Sequence, residues 1–256
     1  MDGLIGLTGS IIAVSLTHPI EVLKTNYQVL GNSTTQISSF GTIKYIYNNR
    51  GFKGFFKGLP VSLTSQPVFW GTFYQTKSLN LHFSSDKINN SIINNLVCGL
   101  VGSLVANPLY VLKTRFQART NTQTYFKMAS DMYKNEKFTQ FFAGYPSTAL
   151  NNLKLGIQLP LYDYLKDNKQ LNTFYSAGIS KFISTSIFYP LDIIRTLQRN
   201  SSEILSIPNS LKLIYKQNGF TGFYRGVILY NIYSTPNFII LMYITEFLQK
   251  KLINDV

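Results

Sequence analysis

The sequence predicts an all-α membrane protein, with six transmembrane helices in three pseudo-symmetric repeats around a central cavity and short helices on one face. Three observations predict it. Two sequence blocks recur three times in one order, apolar stretches long enough to cross a bilayer flank each recurrence, and the excess positive charge lies entirely between those stretches.

The first recurring block is Pro19-x-Glu21-x-x-Lys24, Pro108-x-Tyr110-x-x-Lys113 and Pro190-x-Asp192-x-x-Arg195. The second runs from Ile46, Tyr47 and Phe52 to Gly58, and aligns without gaps on Met132 to Gly144 and on Ile214 to Gly226. These glycines are 86 and 82 residues apart, and each follows its proline by 36 to 39 residues. The chain therefore reads as one domain over 1–256, with repeats at about 1–85, 86–170 and 171–256.

Each repeat opens with an apolar helix, near 4–28, 93–118 and 174–199. A polar, basic connector with a short amphipathic stretch such as Phe40, Ile43 and Tyr47 follows. A second long helix, near 59–81, 145–167 and 227–250, closes the unit. Ser, Thr, Asn and Gln interrupt every span, which fits helices with one face on lipid and one on a wet cavity. The alternative is six buried helices of a soluble all-α protein. Gly3, Gly6 and Gly9, and likewise Gly99, Gly102 and Ser103, suit close helix packing in lipid. Six spans would leave both termini on one side, and no cleavable presequence is expected.

Of 24 Lys and Arg, 16 lie in segments 24–58, 113–143 and 195–225, against three acids; the remainder is balanced at eight and eight. Loops alternating across a bilayer give this pattern, whereas a basic nucleic-acid-binding protein need not. No nucleic-acid partner is therefore expected. One cysteine excludes an internal disulfide, and 45% apolar content excludes disorder. Two histidines and Cys98 form no catalytic or metal-ligand set, so neither an enzyme nor a cofactor is expected; His18 and Cys98 read as packing residues.

Pro19, Pro108 and Pro190 bend the first helix of each repeat at equivalent points. Acid and base three residues apart share a helix face, so the acid of one repeat can reach the base of the next. The expected contacts are Glu21 with Lys113, Tyr110 with Arg195, and Asp192 with Lys24. The bland alternative is solvated helix-end charges.

Pro-x-acid-x-x-base followed by aromatic-base-Gly, three times over, resembles the mitochondrial carrier family. The resemblance covers essentially the whole chain. It implies six tilted helices, matrix-side connectors, termini toward the cytosol, and alternating access between two gates, in a protein working as a monomer. It implies a matrix gate of Glu21, Lys24, Lys113, Asp192 and Arg195, with Tyr110 as a departure. It implies cardiolipin at Gly58, Gly144 and Gly226, the second site weakened by Ala143 where a base is usual. It implies a cytosolic gate in which Tyr162, Asp163 and Lys166 match fully and Glu246 is followed by Gln249. In the first repeat the slots fall on Lys77 and Asn80, or on Tyr74 and Lys77. So thin a network predicts a resting carrier open outward.

For the cavity, Lys154 and Lys181 read as intramembrane bases facing water, hence an anionic substrate, or else as lysines snorkelling to an interface. The resemblance puts substrate contacts at about Thr64, Leu150 with Asn151, and Ser234; Trp70 and Tyr230 offer flat apolar surface. Asn107-Pro108-x-Tyr110-x-x-Lys113-Thr114-Arg115 is similar to carriers of pyrimidine nucleotides, flavin, folate and nicotinamide dinucleotides, and to peroxisomal adenine-nucleotide carriers. The expected cargo is a nucleotide or deoxynucleotide crossing the mitochondrial inner membrane, with the peroxisomal membrane as alternative location. The rivals are another anion, a carboxylate or phosphate, and a transport-inactive adaptor.

Overall fold

A computed structural model describes residues 2–31, 38–80, 89–118, 124–135, 137–201 and 203–254. The first repeat contains α1 (Asp2–Gly31), α2 (Ser39–Arg50) and α3 (Leu59–Asn80). The second contains α4 (Asn89–Ala118), α5 (Tyr125–Asn135), α6 (Tyr145–Asn151) and α7 (Leu153–Asp167). The third contains α8 (Thr173–Asn200), α9 (Ile207–Asn218) and α10 (Val227–Asn254). A 3₁₀ turn follows each short helix: Phe52–Phe56, Phe138–Phe142 and Phe220–Tyr224.

The long helices pack as a ring. α1 lies between α10 and α3, α4 between α3 and α7, and α8 between α7 and α10. Missing side chains let the helices close up. A Cβ on Gly6 would lie 2.9 Å from the Trp70 carbonyl oxygen, and one on Gly102 3.0 Å from that of Phe69. The side-chain environment of Gly3, like that of Asn80, lies outside the described residues.

Polarity is distributed inside out. Ile11, Leu16, Leu104, Val105, Phe182, Ile187, Ile228 and Phe247 are exposed, while Gln66, Asn151, Lys154, Gln158, Ser180, Ser184 and Asn237 are buried. Water would penalise such a surface, and hydrocarbon favours it. Leu4–Leu30, Ile93–Ala118 and Phe220–Gln249 are long and apolar enough to span a membrane. The second helix of repeats one and two and the first of repeat three form the other three members of the ring. Their inward faces are more polar: Ser62, Ser65 and Gln66 on α3, Ser176, Ser184 and Thr185 on α8. The soluble alternative is thereby excluded on surface chemistry.

All six long segments contain proline: Pro19, Pro67, Pro108, Pro160, Pro190 and Pro236. Each removes a backbone donor and crowds the preceding turn. The three sequence-predicted kink positions therefore sit inside α1, α4 and α8, and the second helices carry three more. The fourth span is continuous except at Asn152, where Asn152 and Leu155 make i to i+3 bonds and the Asn152 amide reaches Ser103 Oγ on α4 at 2.9 Å.

Gly58, Gly144 and Gly226 have φ of 85°, 72° and 87°, a region that L side chains avoid. They turn the chain from 3₁₀ turn into span, and each faces the first helix of the next repeat: Gln117, Gln198 and Tyr27 respectively. Side chains stitch the seams. Arg50 donates to the carbonyls of Gln117 (2.8 Å) and Ala118 (3.1 Å), and Arg115 to those of Arg199 (2.9 Å) and Ser201 (2.6 Å). Both satisfy carbonyls that a helix C-terminus leaves open. The third seam is closed by the Arg225 guanidinium over the Tyr27 ring, 5.3 Å from its centroid.

Candidate functional site: a cationic cavity between two contact layers

Inside the ring, at the level of the prolines, lies a cavity of about 160 Å³. The proline-block residues form its floor. Lys113 Nζ lies 2.5 Å from Glu21 Oε1, joining the second repeat to the first as the spacing predicted. Glu21 also accepts from Tyr233 Oη (2.9 Å), Ser62 Oγ (3.3 Å) and Gln66 Nε2 (3.3 Å), and His18 Nδ1 lies 3.4 Å away.

The other two expected contacts are replaced. Asp192 pairs with Arg195 one turn along its own helix and with Lys154 at 3.3 Å, while accepting from Asn151 (3.0 Å) and Tyr230 Oη (3.2 Å). With the carboxylate saturated, Lys24 rests over the Tyr230 ring, 4.6 Å from its centroid. Tyr110 does not meet Arg195. Its ring receives Arg199 at 4.9 Å and Lys113 at 5.9 Å, while Arg195 donates to Tyr230 Oη at 3.3 Å. Arg199 lies about one turn beyond Arg195 on the same helix. It also bonds Asn107 Oδ1 (3.2 Å) and Thr148 Oγ1 (3.0 Å).

The walls carry most of the expected contact residues. Asn151, Lys154, Lys181, Ser234, Trp70 and Tyr230 all line the cavity. Lys181 Nζ donates to Gln158 Oε1 at 3.3 Å and lies 5.2 Å from the Phe238 centroid. Neither lysine snorkels to a surface. Lys154, however, is bound to Asp192 instead of standing free. Thr64 is corrected: it is exposed on the outer face and folds back onto the Val61 carbonyl. Its helix turns Gln66, Phe69 and Trp70 inward instead. Leu150 also faces outward, while its neighbour Asn151 faces in.

A second cavity, of about 240 Å³, is lined by Lys77, Asp163, Lys166, Glu246 and Gln249 together with Tyr74, Tyr162 and Met242. The sequence-predicted residues of this end are thus brought together. Contact is made by a subset: Lys166 and Tyr162 both bond Glu246, as does Thr173 Oγ1 at 2.7 Å. The two cavities are one helical turn apart, since Trp70 and Tyr74, Leu155 and Leu159, and Phe238 and Met242 are i, i+4 pairs lining one and then the other. Between them is an aromatic layer. Trp70 and Phe238 are 6.3 Å apart, Trp70 and Tyr74 5.8 Å, Tyr162 and Phe238 6.4 Å. This departs from the expected outward-open state, because contacts exist at both ends.

Outside the spans, the 3₁₀ turns carry their own electrostatics. Lys57 lies 4.9 Å from the Phe116 centroid, and burial, helped by nearby Arg50, pushes its ammonium down to about 8. Sequence reasoning missed Arg199 as a cavity residue. The signal was available: four residues after the gate base stand Gln28, Gln117 and Arg199, so the third repeat alone puts a charge there.

Comparison with known proteins agrees with this architecture. The chain is 29% identical over 248 residues to mitochondrial carrier-like protein L276 of Acanthamoeba polyphaga mimivirus, covering 94% of this chain and 93% of that protein. It is 25% identical to mitochondrial substrate carrier family protein M of Dictyostelium discoideum, covering 98% and 95%. It is also 25% identical to mitochondrial nicotinamide adenine dinucleotide transporter 1 of Saccharomyces cerevisiae, covering 92% and 73%. The profile of the mitochondrial carrier protein family matches residues 1–82, 84–172 and 167–256, so the chain belongs to the mitochondrial carrier family, whose members are membrane transporters and not enzymes.

Proposed function

We propose that this carrier moves an anionic metabolite, with a nucleotide or deoxynucleotide favoured, across the mitochondrial inner membrane by alternating access. The observation that carries the reading is the cavity lining, in which six bases face one carboxylate, Glu21. Charges this deep are costly unless compensated, and an anion is the partner that compensates them. Trp70, Phe69 and Tyr230 supply ring faces on which a base can lie. The nicotinamide dinucleotide named in the yeast relative belongs to the same chemical class.

In this reading the Glu21–Lys113 and Lys154–Asp192 contacts close the matrix side. Lys166, Glu246 and the aromatic layer close the cytosolic side. Binding energy between the layers opens one or the other, and no more than the differential affinity of the substrate for the two states is available to do so. The glycine-led starts of α3, α6 and α10 are the proposed docking points for cardiolipin phosphates, and the monomer is the working unit.

The small volume supports a second reading. Ligand pockets usually enclose about 300 Å³ or more, so a small anion such as phosphate or a carboxylate fits as the cavity stands, whereas a nucleotide requires the aromatic layer to part. Uptake by proteoliposomes loaded with nucleotides, dinucleotides, phosphate or dicarboxylates decides between them. Exchange of nucleotides alone supports the first reading, exchange of small anions alone the second, and no uptake of any member would overturn both.

A further inference from the structure

We infer that the floor of the cavity holds a polyanion site formed by Lys24 and Arg199, so that the transported anion carries a chain of at least two charged groups, one of which seats at the level of the proline blocks. The inference rests on the anion-carrier reading and specifies its ligand.

Charge bookkeeping among the six lining bases separates them. Lys113 belongs to Glu21, and Lys154 and Arg195 share Asp192. Lys24, Lys181 and Arg199 have no carboxylate within ion-pair distance among the described residues. Two carboxylates against six bases leave four formal positive charges uncompensated around one cavity.

Two of the three uncompensated bases sit at the floor. Lys24 is 8% exposed and its side chain makes no hydrogen bond or ion pair among the described residues; its ammonium lies over the Tyr230 ring. Arg199 is 6% exposed, bonds neutral oxygens on Asn107 and Thr148, stacks on Tyr110, and leaves Nε without a partner. Both line the cavity. One buried cation against rings and amides is a tolerable arrangement. Two of them from opposite seams, beside Lys181 on the wall, ask for an anion with several charges, because a single monoanion would leave most of the excess in place. A phosphate chain supplies such charges in series. The aromatic rings above the floor would hold whatever apolar group the chain carries.

The test uses the detergent-purified full chain with inorganic orthophosphate, pyrophosphate and tripolyphosphate as probes, read by thermal unfolding. Wild type is expected to bind tripolyphosphate at least about tenfold more tightly than orthophosphate. Arg199→Gln places in the third repeat the residue that Gln28 and Gln117 provide in the others, and Lys24→Gln removes the second charge. Each is expected to weaken tripolyphosphate binding by about tenfold or more while changing orthophosphate binding by less than about threefold. Arg199→Lys, which keeps the charge, is expected to retain most of the binding, and Lys44→Gln on exposed α2 all of it. If Arg199→Gln does not fold, Lys24→Gln alone carries the test, since that side chain holds no structural hydrogen bond. Wild-type affinity in both glutamine variants would overturn the floor site while leaving the anion-carrier reading intact. Failure of wild type to bind any probe, together with failure to take up any anion in proteoliposomes, would overturn both.

Discussion

Lys113 of the second repeat and Glu21 of the first meet at 2.5 Å, both almost wholly buried, and among the described residues no other basic residue shares that carboxylate at ion-pair distance except His18. Removing one partner of such a pair costs roughly 3–5 kcal/mol, because the other charge is left without compensation. Glu21→Lys is therefore expected to abolish uptake in proteoliposomes. Combining it with Lys113→Glu is expected to restore a measurable fraction, limited because Tyr233, Ser62 and Gln66 are arranged to donate to a carboxylate at position 21. Normal rates in the single variant would show that this contact is not part of the transport cycle.

Asp192 is the more heavily used acid, holding Lys154, Arg195, Asn151 and Tyr230 at once. Asp192→Asn is expected to lower the unfolding temperature more than any single removal of its basic partners, with a loss of about 3–5 kcal/mol. Adding Lys154→Met to Asp192→Asn should recover part of that loss by removing one of the two stranded charges. Differential scanning fluorimetry of the four proteins closes the cycle.

Lys57 gives a pH signature. Its folded-state value of about 8 lies below the 10.5 of an unfolded lysine. Below pH 8 both states carry the proton and the folded state bears the full cost of the buried charge. Between pH 8 and 10.5 the unfolded chain binds more protons, so this residue's contribution to stability rises with pH. The difference in unfolding temperature between wild type and Lys57→Met is expected to shrink or reverse across that window. A constant difference from pH 7.5 to 10.5 would contradict the shift.

The aromatic layer contains the only tryptophan of the chain, Trp70, packed against Phe69, Phe73, Tyr74 and Phe238. Its emission is expected to be that of a buried indole, poorly quenched by acrylamide. Phe238→Ala should destabilise by about 3–5 kcal/mol and raise quenching. Addition of a transported anion to wild type should change the quenching as the layer rearranges; an unchanged signal under saturating substrate would separate the layer from the transport cycle.

How far these features could be read from sequence depends on whether they are set along one helix or between several. The Pro-acid-base spacing places Glu21 and Lys24 on one face of α1, and the threefold recurrence predicts the neighbour, so the Glu21–Lys113 contact was legible. The same logic failed for Asp192, because the competing Lys154 comes from α7 and its approach depends on the ring's packing. Tyr110 met Arg199 in place of Arg195 for a similar reason, the geometry of a seam rather than of a helix. Thr64 falls outside the cavity because the resemblance gives its position along α3 but not the facing of that helix, whose inward line runs through Gln66 and Trp70. The six long helices themselves were legible to within a few residues, since proline blocks and glycines punctuate them, although among the described residues three have the apolarity that marks a span on its own.

The sutures at two of the seams end on peptide oxygens: Arg50 on Gln117 and Ala118, Arg115 on Arg199 and Ser201. A carbonyl survives every mutation of the residue that bears it. At these two seams the accepting helix can therefore drift in side-chain identity, even acquiring an arginine where its siblings have glutamine, without losing the oxygens that anchor it in register. At these two seams, variation of side chains and preservation of assembly rest on different atoms.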